Sequence, residues 1–159
     1  MGIYAKISIE RKAEKTSRKY IALLNSGCSL RPLSLEVRIL KIPYIVVPPQ
    51  VASEFGRPMN KLLRRGKYYV DEEYTYRVCL YDPEDNPVVC VDDCFLFVEE
   101  GLDRILIPLE FLMITGIKLD PANMCWEYKG RSIRCIFESK NIREIDKGLL
   151  RFTPYYELV

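Results

Sequence analysis

The sequence contains no histidine. That single absence removes Ser-His-Asp triads, Cys-His pairs, histidine-bearing zinc sites and histidine general bases. Chemistry falls to carboxylates, lysine, tyrosine, cysteine, arginine or the backbone. The six cysteines are Cys28, Cys79, Cys90, Cys94, Cys125 and Cys135. None form a CxxC, so their spacing offers no zinc site, and neither a metal nor a cofactor is expected. Buried, reduced thiols are the ordinary state for such residues. One pair has a second option. A turn at Pro83-Glu84-Asp85-Asn86 sets a hairpin register that faces Cys79 with Cys90, where a cross-strand disulfide fits. A basic run, Arg57, Lys61, Arg64, Arg65 and Lys67, reads as a solvated face. Asp71, Glu72 and Glu73 follow it and offset its field. A nucleic-acid surface with Tyr68 and Tyr69 as stacking residues is the weaker reading. A third group is Asn25-Ser26-Gly27-Cys28-Ser29, a polar turn entered directly from an apolar stretch.

The elements that would position these groups are mainly strands. Ile3, Ala5, Ile7 and Ile9 alternate along the first segment and share one face. Arg11 to Arg18 reads as a connection, and Lys19 to Leu24 as a second apolar strand. Leu35 to Val47 is apolar and β-branched, punctuated by Pro43 and Pro48-Pro49. One or two helical turns follow over Pro49 to Phe55, closed by Gly56. Tyr74 to Leu80 and Val88 to Val98 form a hairpin. Ile105 to Ile107 is a short buried strand. Pro108 suits the first helical position, Leu109, Leu112 and Met113 form an apolar stripe, and Gly116 is a C-cap. Ile117 to Leu119 returns as strand. Trp126 to Tyr128 and Ser132 to Phe137 make a last hairpin around Lys129-Gly130-Arg131.

The chain is one domain's worth: 159 residues, 48% hydrophobic, with 24 basic against 22 acidic residues and a net charge of +2. That balance argues against a nucleic-acid binder that works by bulk charge. The opening MGIYAKISIE lacks the apolar core of a signal peptide. Ile105 to Ile117, the most apolar stretch, is interrupted by Glu110 and is too short to span a bilayer. A cytoplasmic protein without a membrane partner is expected.

The order of the pieces is specific. A strand ends in Ala22-Leu23-Leu24-Asn25-Ser26-Gly27-Cys28-Ser29. Ile45-Val46-Val47-Pro48 follows, then a short helix closing at Phe55-Gly56, then a hairpin. Leu106-Ile107-Pro108-Leu109-Glu110-Phe111-Leu112 and Gly116-Ile117-Lys118-Leu119-Asp120 come last. From Ile3 to about Tyr128 this resembles the single-domain aspartic proteases of the retropepsin type. In that family a strand delivers Asp-Thr/Ser-Gly, and a later strand-to-helix turn packs beneath it. The resemblance implies a mainly β fold, a small closed barrel with one or two short helices over residues 1–138. Residues 139–159 would be an extension packed on the domain or a partner. It also implies a homodimer, a polypeptide substrate or ligand, and a catalytic loop at Asn25, Ser26 and Gly27.

In the family each subunit gives one carboxylate, and the two share a proton and activate a water. Here the carboxylate position is Asn25. An amide is no general base near neutral pH, and losing one costs roughly 10²–10⁴-fold or more in rate. The chain as written is therefore expected to be inactive, either as an engineered knockout or as a natural pseudoprotease. A non-catalytic peptide-binding module on the same fold is the alternative. Two further departures are Pro108, where the family has glycine, and the stretch from Gly66 to Thr75. That stretch is the positional candidate for the family's glycine-rich flap, yet Gly66 is its only glycine.

Overall fold

The computed structural model describes residues 2–25 and 42–134. The chain begins with a long hairpin, β1 (Ile3–Arg11) and β2 (Thr16–Asn25), paired from Arg11↔Thr16 to Ile3↔Leu24. The polar connection is thus shorter than Arg11 to Arg18, because Thr16 to Arg18 already pair. The odd-numbered apolar residues of β1, Ile3 to Ile9, all enter the core. That follows from the period of two in a pleated strand.

β3 (Tyr44–Val47) leads into helix α1 (Pro49–Glu54), which starts on proline and buries Val51 and Ala52. A 3-10 turn over Met59–Lys61 follows. Next comes a small hairpin of β4 (Leu63–Arg65) and β5 (Tyr68–Val70). Its two-residue turn is Gly66-Lys67, with Gly66 at φ 63°, a left-handed conformation glycine adopts without a Cβ clash. β6 (Tyr76–Tyr81) and β7 (Pro87–Glu99) form the long hairpin. Cys79 faces Cys90 in its register, and the two are joined by a disulfide. Cys94 and Cys125 remain buried thiols. Burial drives the Cys94 thiol far above its ordinary value, so it stays protonated and inert.

β8 (Ile105–Pro108) runs into α2 (Leu109–Thr115). Pro108 is the last strand residue and the N-cap, so the helix begins one residue later than its sequence suggests. Phe111 and Leu112 face the core, whereas Met113 is 71% exposed and leaves the expected stripe. Gly116 closes the helix at φ 81°, and its N–H bonds the Leu112 carbonyl. A separate three-stranded sheet completes the described chain: β9 (Lys118–Asp120), β10 (Cys125–Tyr128) and β11 (Arg131–Arg134), with β10 central.

Two parallel pairings close the main sheet. β8 lies against β2, and β3 lies against both β8 and β7. The ring β3-β8-β2-β1-β6-β7 is therefore continuous: a closed six-stranded barrel, with β5 and β4 carried outside it on β7. The fold is mainly β with two short helices. Closure removes the two sheet edges that an open six-stranded sheet would otherwise expose. The interior holds the β-branched faces of the strands together with Phe55, Phe111 and Trp126. The expected extension at 139–159 lies outside the described residues. Among the described residues no helix is long and apolar enough to cross a membrane.

Candidate functional site

The site expected at Asn25 is organised by the β2–β8 pairing. The paired residues are far apart in the chain, yet Ala22↔Ile105, Leu23↔Leu106, Leu24↔Ile107 and Asn25↔Pro108 run in parallel register. Ala22, Leu24, Ile105 and Ile107 are buried in the barrel core, which fixes that register against a one-residue slip. Two of the positions at which the sequence departs from the retropepsin pattern, Asn25 and Pro108, are therefore partners. Pro108 has no N–H to donate across that last rung. Ser26 and Gly27 lie outside the described residues.

A second group of side chains gathers at the same end. β3 runs antiparallel to β8, so its first residue, Tyr44, lies near the start of α2. The Tyr44 hydroxyl donates to Glu110 Oε2 at 2.8 Å. Glu110 sits in the first helical turn, where a carboxylate meets the positive end of the helix. Tyr44 also opens a second apolar cluster with Val46, Tyr68, Val70 and Phe97. The rings of Tyr44 and Phe97 are 4.8 Å apart, and Tyr68 meets Phe97 edge-on at 6.0 Å. Alternation along β3 explains the cluster: Ile45 and Val47 point into the barrel, so Tyr44 and Val46 point out of it. The β4–β5 hairpin supplies Tyr68 and Val70 to this outer cluster, and is thereby tied to the strands beside Asn25. Neither the Tyr44–Glu110 contact nor the cluster was drawn from the sequence; the alternation of Tyr44-Ile45-Val46-Val47 is the signal that carries it.

The hairpin is anchored at its base by Asp71, which is fully buried. Arg57 donates to both of its oxygens, Nε to Oδ2 at 3.0 Å and Nη2 to Oδ1 at 3.1 Å. The Tyr76 hydroxyl donates to Oδ2 at 2.6 Å, and the Glu73 and Tyr74 amides donate to Oδ1. Glu73 adds a second carboxylate to Arg57 at 3.3 Å. Burial, reinforced by the Asp71 hydrogen bond, pushes the Tyr76 hydroxyl far above its ordinary value and keeps it protonated. Burial opposes the charge on Arg57, but Asp71 and Glu73 outweigh it and raise its value. Arg57 thus leaves the solvated face read from the sequence, at 4% exposure. Of the other basic residues, Arg65 pairs with Glu72 and Lys67 with Glu99. The hairpin starts at Leu63, earlier than the Gly66 to Thr75 stretch singled out from the sequence. Gly66, the one glycine of that stretch, occupies its turn.

Among the described residues no three cysteine or carboxylate side chains come together as a metal-binding group. No family model matches the sequence, and no curated protein matches it. Among solved structures, the chain is similar to the retroviral protease-like domain of Ddi1 from Leishmania major. The two share 12% identity over 87% of this chain and 97% of that one, with a TM-score of 0.49.

Proposed function

We propose that this chain is an aspartic-protease-like barrel that holds an extended polypeptide between two subunits without cutting it. The observation that carries the reading is the register Asn25↔Pro108. It joins the two sequence motifs of the retropepsin resemblance, the strand into Asn25-Ser26-Gly27 and the strand-to-helix turn at Pro108, as one parallel pair at one end of a closed barrel. The β4–β5 hairpin, linked to that end through Tyr68 and Val70, stands in the flap's place.

A symmetric dimer of this chain would present two Asn25 amides where the family presents two carboxylates. Amides donate and accept hydrogen bonds but do not take up the proton that activates water. Such a pair keeps the hydrogen-bonding surface for a peptide backbone and loses the hydrolytic step.

The test is sedimentation of the full chain at micromolar concentration, alone and with a library of extended peptides. A dimer that retains peptides and returns them with every bond intact is expected. A monomer that retains none contradicts the reading, and so does release of cleaved fragments.

A further inference from the structure

The outer face of the barrel around the disulfide has a shape the proposed peptide site does not use. Ile7, Ile9, Val78, Leu80 and Val89 point inward, so Ser8, Glu10, Arg77, Cys79, Tyr81 and Cys90 face outward. These six line an open depression of about 200 Å³. Ser8 and Tyr81 hydrogen-bond across it at 3.0 Å. The two halves of the disulfide differ in access. Cys79 is 6% exposed, paired between β1 and β7, whereas Cys90 is exposed. Both halves of the bond line the depression, and Cys90 is the more exposed residue, so an incoming thiolate meets the Cys90 side first.

We propose that Cys79–Cys90 is a reversible thiol–disulfide exchange site, reduced by a protein dithiol that enters this depression and attacks the Cys90 sulfur. The partner's thiolate forms a bond to Cys90 Sγ. The Sγ–Sγ bond breaks, and its electron pair leaves on Cys79 Sγ, which takes a proton. The partner's second thiolate then attacks its own sulfur in the mixed disulfide. Cys90 leaves as a thiolate and is protonated, and the partner departs as a disulfide. Two electrons pass from the partner to this chain. Val78↔Val91 and Leu80↔Val89 flank the bond, and β6 also pairs with β1, so the barrel keeps its ladder when the bond opens. The bond closes a chain separation of 11 residues. Its loss is expected to lower Tm by about 5–10 °C.

The test uses the full oxidised chain and a thioredoxin-type protein whose second motif cysteine is replaced by serine. That variant attacks but cannot release, so it traps the mixed disulfide. A covalent adduct mapped to Cys90 is expected under native conditions. The intact dithiol protein is expected to reduce the bond without denaturant and lower Tm, and reoxidation to restore it. The proposal is overturned by reduction only after denaturant is added, which makes the bond a permanent staple, or by an adduct on Cys79. Titration of two extra thiols in the untreated oxidised protein overturns it as well.

Discussion

Asp71 shows how far a charge can depart from its reading in sequence. Arg57 to Lys67 followed by Asp71 to Glu73 looks like a basic face with an acidic neighbour. In the fold, Arg57 and Asp71 form a buried pair closed by Tyr76 and two amides. Sequence counts charges along the chain and does not see that Tyr74 stacks under both Arg11, at 3.8 Å, and Arg57, at 4.9 Å. A buried pair adds little against a well-packed apolar substitute, but removing one member strands the other. Asp71→Ala is therefore expected to cost about 3–5 kcal/mol in denaturant unfolding. A loss below about 1 kcal/mol, the range of exposed pairs, would place Arg57 in water after all.

Between elements, the three-stranded sheet, packed on the core through Trp126 and Ile133, also reaches the β6–β7 turn. Arg131 of β11 hydrogen-bonds Asp82, which also accepts from the Glu84 and Asn86 amides. Burial pushes the Asp82 carboxyl upward, but the Asn86 and Arg131 hydrogen bonds outweigh it and hold it below its ordinary value of 3.8. A depressed carboxylate stabilises the fold above its unfolded value, and that stability fades as pH falls through the folded value. The thermal stability of the native chain should thus fall from about pH 4 downward. Asp82→Asn, already lacking the charge, should be less stable at neutral pH and should lose less on acidification. Parallel pH curves for the two proteins would sever Asp82 from that linkage.

Most single elements were legible. Alternation in β1, the apolar strand after it, the turn at 82–86 and its Cys79↔Cys90 register, Pro49 with Gly56, and Gly116 as a cap all lie where their residue types place them. These features are local, and local geometry is what period and turn chemistry encode. Leu109, Leu112 and Met113 share one face at helical spacing, but the face of α2 that packs on the barrel is the adjacent one, carrying Phe111 and Leu112, and Met113 is left exposed. Barrel closure was legible only through the family resemblance. β2–β8 and β3–β7 join segments far apart in the chain, and no local spacing records which apolar strands meet.

For the whole molecule, the closed barrel places one residue of the Asn25-Ser26-Gly27 motif at the end of a buried parallel pair. At that position a single heavy-atom difference, an amide nitrogen in place of a carboxylate oxygen, separates this chain from the family pattern. If this barrel is an aspartic protease scaffold without its carboxylate, restoring the carboxylate restores the chemistry that two such groups perform by sharing a proton. The direct measurement is cleavage of a denatured protein by Asn25→Asp from pH 3 to 7, beside the unchanged chain. Cleavage by the aspartate variant, strongest on the acid side and at least about 100-fold above the asparagine form, is the expected result. An Asn25→Asp protein that folds and dimerises, yet cuts nothing at any pH and binds no transition-state-like peptide, would contradict it.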